Sequence, residues 1–195
     1  MWQYYLKGGT EGIHIWFLVI LKQEAANHMK YFTKKLWADI QNEKKYEETR
    51  DLWDSAVSEY RKQFEGLKSR LPADVYEIYK QYSLHDSKIV SLKAVNHSPI
   101  KRSNKLKRSN KSICVTLKIS IDNNILIFEY KNVTDINFKY SVENQKFEDI
   151  NDDLGYIGYD ELTEKNKNYL RHEFLLSTGN IIEIIFKNVK VFLGQ

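Results

Sequence analysis

At 195 residues, 42% hydrophobic and 13% aromatic, the chain has enough apolar mass to build one domain with a sizeable core, and too much for intrinsic disorder. Its net charge is +4, but six positive charges and no negative one fall between Lys101 and Lys111, so the remainder is net −2: a slightly acidic domain with one basic loop, not a basic domain. The single cysteine, Cys114, excludes an intramolecular disulfide and fits a reducing, cytoplasmic compartment.

In chain order, Ile13 to Leu21 is the most apolar run. It is too short for a membrane-spanning helix, which needs roughly 20 residues. Lys22-Gln23-Glu24 follows it where a secretory leader would carry a small-residue cleavage site. Residues 1–28 are therefore expected to be an N-terminal extension, disordered or arising from a mis-assigned start. The codons for Gln23-Glu24-Ala25 can contain a purine-rich ribosome-binding sequence just ahead of Met29, which makes Met29 the expected start of the domain.

A helical part is expected over 33–82. Thr33 can cap a short helix carrying Leu36, Trp37 and Ile40. From about Tyr46 to Arg70, Leu52, Trp53, Ala56, Val57, Tyr60, Phe64, Leu67 and Leu71 recur at three- and four-residue steps and predict one apolar stripe. Pro72 suits the first turn of a third helix with its own stripe of Val75, Ile78, Tyr79 and Tyr82. These stripes read as the cover of a sheet and not as membrane-surface helices.

The sheet is expected over 88–193. After a polar break at 83–87 comes a strand from Lys88 to about Val95. Ile113, Val115, Leu117, Ile119 and Ile121 alternate with polar residues, the period of a half-buried strand. Asn123-Asn124 suits a hairpin, Ile125 to Tyr130 returns, and after Lys131-Asn132 a third run presents Ile136, Phe138, Tyr140 and Val142, which together read as a meander. Leu154 to Leu162 and Tyr169 to Ser177 are expected to pair, Thr178-Gly179-Asn180 is a hairpin turn, and Ile181–Phe186 and Val189–Leu193 finish the set. The fold class is α+β: three N-terminal helices packed on a curved antiparallel sheet of about eight strands, in a single domain over 29–195.

Four features invite a chemical reading. The loop 101–111 repeats Lys-Arg-Ser-Asn-Lys, and Lys101, Arg102, Lys105, Lys107, Arg108 and Lys111 could bind phosphate, although no aromatic residue stands among them to stack on a base. His85-Asp86 suggests a metal-dependent hydrolase, but His97 and His172 lack ligand spacing, and the plainer reading is a turn entering a strand. Asp149 to Gly155 resembles the opening of a calcium loop, with its glycine one place late and Asp160 where a bidentate Glu belongs. The acidic stretch offers Asp149, Asp152, Asp153, Asp160 and Glu161 to a basic protein surface. A nucleophile elbow and a phosphate-cradling glycine loop are absent, and His172 and Glu173 point to opposite faces of a strand.

The start Met29-Lys-Tyr-Phe-Thr-Lys-Lys-Leu-Trp37, then Leu84-His-Asp-Ser-Lys-Ile89, Tyr159-Asp-Glu-Leu162 and Gly179 to Phe186, resemble a bacterial family catalogued as domain of unknown function 4085. The similarity spans roughly Met29 to Phe192 and brings no catalytic motif with it. The same order resembles, more loosely, small bacterial immunity proteins that block toxins; the duplicated loop at 101–111 departs from both. The expected function is a non-enzymatic protein–protein interaction domain with an unidentified protein partner, in its more specific form an immunity-type inhibitor, with no cofactor, no metal and no membrane. The alternatives are a nucleic-acid-associated protein using the loop 101–111 and a hydrolase using His85 and Asp86.

Overall fold

The computed structural model of the chain describes residues 29–96, 113–138 and 154–194. The N-terminal extension 1–28, the basic loop 101–111 and Asp149, Asp152 and Asp153 lie outside the described residues, as do Tyr140 and Val142.

The helices form where sequence periodicity places them. The Thr33 hydroxyl accepts the Leu36 N–H at 3.2 Å and opens α1 (Lys34–Ile40). Helix α2 (Tyr46–Gly66) has Glu47 and Glu48 in its first turn, matching the positive end of its dipole. Its stripe is observed from Trp53 to Phe64 and on to Leu67 and Leu71, but Leu52 is 64% exposed. Leu52 lies about 100° around the helix from Trp53, the side that carries the packing, so the triplet of apolar positions is one residue too wide at that end. Pro72 stands at the N-cap of α3 (Ala73–Gln81), which buries Val75 and Tyr76; Tyr76 stacks on Phe64 at a centroid distance of 5.3 Å.

Among the described residues eight antiparallel strands follow: β1 (Lys88–Asn96), β2 (Ile113–Ile121), β3 (Asn124–Val133), β4 (Asp135–Phe138), β5 (Ile157–Asn166), β6 (Tyr169–Leu176), β7 (Ile181–Phe186) and β8 (Asn188–Gly194). They are divided between two four-stranded sheets, in the orders β1-β2-β3-β8 and β4-β7-β6-β5, where the alternation alone suggested one. The sheets are joined by two corners. Thr134 is the only residue between β3 and β4, and Lys187 the only one between β7 and β8. Hydrogen bonds continue around the bend, from Thr134 N–H to Ile185 O (2.9 Å) and from Lys187 N–H to Lys131 O (3.3 Å).

This corrects the expected meander. Lys131-Asn132 is not a hairpin turn; Asn132 adopts φ 53° inside β3 and the register against β2 slips there, so the strand bends and β4 goes on to pair with β7. Asparagine tolerates the left-handed conformation in a bulge as readily as in a turn, and the residue type cannot tell the two apart. The β2–β3 hairpin turns one residue earlier than the Asn pair suggests, with Asp122 at φ 49° and Ile121 facing Asn124.

A further link joins the sheets at the far side. Asp86 N–H donates to Ile157 O (2.9 Å), Ile157 N–H to Ser87 O (2.8 Å), and Lys88 bridges Tyr156. One apolar cluster draws on both sheets, with Leu117, Ile119, Leu126, Phe128, Phe174, Ile184 and Phe186 at its centre and Phe64, Leu67, Val75 and Tyr76 of the helical part packed on it. A second cluster covers the outer face of β5 and β6: Met29, Tyr31, Phe32 and Leu175, with Trp37, Trp53, Tyr60 and Tyr159 against them. Gly158 makes that packing feasible, since a Cβ there would stand 2.9 Å from the Trp37 ring. Among the described residues no helix is long and apolar enough to cross a membrane.

Candidate functional site

Between α2, α3 and the start of β5 the fold leaves a cleft of about 560 Å³. Its walls are rings from the segments just built: Phe32 ahead of α1, Tyr60 and Phe64 from the α2 stripe, Tyr79 from α3, and Tyr159 from β5. Arg61, Glu65 and Lys80, all exposed, supply its charged margin. Asp160 also lines it, with a side chain only 13% exposed.

Strand alternation puts Asp160 there. Directly opposed residues of antiparallel strands share a face, and Asp160 faces Phe174 while Leu162 faces His172, all four on the inner side of their sheet. A polar network results. Tyr79 O–H donates to Asp160 Oδ2 at 2.8 Å, His172 Nε2 lies 3.2 Å from the same oxygen and 2.5 Å from the Tyr79 hydroxyl, and Tyr130 O–H reaches His172 Nδ1 at 2.6 Å.

One proton assignment satisfies every contact. Burial pushes His172 below its ordinary pKa against the pull of Asp160, so the ring is neutral; burial pushes Tyr79 and Tyr130 well above theirs, so both keep their protons. Tyr130 then donates to Nδ1, Nε2–H is directed at the Tyr79 oxygen and Asp160, and Tyr79 donates to Oδ2. The network thus converges on one oxygen of one carboxylate. Its other oxygen, Oδ1, has no protein partner among the described residues.

Chemically this site holds an anion in place. The imidazole stands behind the carboxylate, 1% exposed with both nitrogens engaged, and does not reach the cleft as a base. Ser83, also in the lining, accepts the main-chain N–H of His85 at 3.3 Å instead of meeting a histidine ring. The Tyr60 hydroxyl accepts the Leu162 N–H at 2.9 Å, which ties α2 to the edge of β5.

The remaining candidates separate. Glu161, read as part of an exposed acidic surface, is 0% exposed on the other face of β5, so it is not available to a partner in the folded chain. Its carboxylate accepts the N–H groups of Tyr31 and Phe32 at 2.6 Å each and of Lys30 at 2.8 Å. It faces Glu173, which faces Glu183 in turn, a row of three buried carboxyl groups across β5, β6 and β7. Glu173 Oε1 accepts the Met29 N–H at 3.1 Å, and Arg171 lies 3.9 Å from Glu173 and 3.7 Å from Glu183. Burial pushes Glu161 up to about 7, against the opposing effect of its three N–H donors.

His85 and Asp86 form a local pair at 2.8 Å, with Asp86 at φ 63° in the turn that enters β1 and His85 edge-on to Tyr159 at 4.8 Å. Among the described residues, no group of three or more His, Cys, Asp and Glu is placed to hold a metal ion. The expectation that His172 and Glu173 face opposite ways holds.

Tyr79, Tyr130 and His172 escaped the reading as site residues. The available signal was a polar residue at an apolar phase of a strand: His172 between Leu170 and Phe174, and Asp160 between Gly158 and Leu162. No family model matches the chain, and comparison with curated proteins and with solved structures finds no match.

Proposed function

We propose that the chain is a non-enzymatic protein–protein interaction domain whose partner seats in the cleft between α2, α3 and β5, in its most specific form an immunity-type inhibitor. The observation that carries this reading is the Asp160 carboxylate at an aromatic-lined cleft, with Tyr79 and His172 both occupied in positioning it. An enzyme would need a second reacting group near it; the histidine that could serve is sealed in the core. A ring-lined depression around one charged anchor is the composition of an interface hot spot. The lone cysteine supports a cytoplasmic setting for the encounter.

The test is capture from lysate of the source cell with nuclease present, followed by binding of the purified partner to wild type, Asp160→Asn and Asp86→Asn. Asp86, 79% exposed and outside the cleft, is the control. Affinity should fall at least about tenfold for Asp160→Asn and stay unchanged for Asp86→Asn. Undiminished binding by Asp160→Asn would refute the placement of the partner in this cleft.

A further inference from the structure

From the same site, and resting on the interaction reading, we infer that the group entering the cleft is a primary ammonium: the side chain of a lysine presented by the partner protein. Three observations lead there. The carboxylate calls for a cation, and of the two acids in the lining Glu65 is engaged by the Tyr76 hydroxyl while Asp160 keeps Oδ1 unoccupied among the described residues. The walls are rings, which attract a cation by their faces and shelter the four methylenes of a lysine stem.

The third observation separates lysine from arginine. A guanidinium binds best as a fork on both carboxylate oxygens, but Tyr79 and His172 already fill the two acceptor positions of Oδ2. One oxygen remains, which suits a point donor. Arg61 and Lys80 stand at the margin and repel any incoming cation, so the cleft selects a lysine accompanied by an acidic neighbour that can meet them.

The experiment is an NMR titration of amide resonances in the full chain with n-butylammonium, n-butylguanidinium and n-butanol as probes. Butylammonium should shift Asp160–Leu162 and α3 saturably, butylguanidinium more weakly, and butanol without saturation. Asp160→Asn should weaken butylammonium at least about tenfold, and Arg61→Gln with Lys80→Gln, both at exposed positions, should strengthen it several-fold at low salt. Equal binding of butanol, or a double variant that binds butylammonium no better, would overturn the assignment. Asp160-dependent partner capture that excess butylammonium fails to inhibit would overturn the lysine and leave the interaction reading standing. Partner binding indifferent to Asp160 would overturn both.

Discussion

Replacing Glu161 by glutamine probes the balance that holds the segment before α1 on the sheet. The carboxyl group is fully buried beside Glu173 and takes three main-chain N–H donors. Loss of solvation outweighs those donors and raises its pKa from 4.5 to about 7. A carboxyl group with a higher pKa folded than unfolded holds its proton longer in the folded chain. Its stabilising contribution is therefore complete below 4.5 and is lost as pH rises through about 7. At about 1.4 kcal/mol per pH unit the span amounts to about 3 kcal/mol. Glutamine does not titrate, but its NH2 cannot accept the Lys30 N–H that Oε2 accepts, so the variant should carry a pH-independent cost that is already present in mild acid. By about pH 8 the difference should have moved by about 3 kcal/mol in favour of Glu161→Gln. Urea unfolding of both proteins at stepped pH measures it, and subtraction cancels the titration of His172 and of the other shared groups that do not interact with residue 161. A pH-independent difference would refute the reasoning. So would a gain by wild type with rising pH, which would mean that the N–H donors prevail over desolvation.

Gly158→Ala would place a Cβ 2.9 Å from the Trp37 ring and 3.3 Å from Leu175 O, and should cost about 1–3 kcal/mol, with a red shift of tryptophan emission as that ring is displaced. Tyr130→Phe deprives His172 Nδ1 of its donor in a fully buried setting and should cost about 1–3 kcal/mol in urea unfolding; an unchanged midpoint would count against the proton assignment. In wild type, imidazole nitrogen shifts should report a neutral Nε2–H ring at pH values below 6.5, where an ordinary histidine is charged. A chain shortened to begin at Met29 would bring its α-amino group to the position of the Met29 N–H, 3.1 Å from Glu173 Oε1. It should stay folded, and N-acetylation should lower its stability by about 1–2 kcal/mol; equal stability of the free and acetylated forms would show that the charge is not used.

Much of the fold could be read from period alone. Ile113 to Ile121 alternates and forms β2; the stripe from Trp53 to Leu71 is the face that packs; Gly179, at φ 77°, makes the turn between β6 and β7. What period could not convey is where a strand bends. Asn132 and Lys187 are ordinary polar residues whose corners exist only because each strand finds a second partner beyond them, and a partner's identity is a long-range fact. The site divides in the same way. Asp160 stood among the acidic candidates, but its use depends on Tyr79 and His172, 81 and 12 residues away, and nothing local in the sequence announces their meeting. Glu161 shared its neighbour's composition and not its fate, because the rule that counts charged residues in a stretch ignores the face on which each one stands.

That difference of face gives the two carboxylates connected tasks. Asp160 points inward and presents a charge to the cleft; Glu161 points outward and grips the N–H of Phe32 at 2.6 Å. Phe32 is itself a wall of the cleft, in ring contact with Tyr60 at 5.2 Å and Tyr159 at 4.9 Å. The outer carboxylate therefore positions a wall of the space that the inner one charges, across a single peptide bond. Filling the cleft and gripping the segment are then linked reactions, and linkage is reciprocal: a probe that packs against Phe32 must stabilise the Glu161 contacts by as much as those contacts improve its binding. Asp160→Asn removes the attraction itself, whereas Glu161→Gln leaves it and loosens a wall. The second substitution should consequently weaken large occupants that touch Phe32 more than a small cation that touches Asp160 alone.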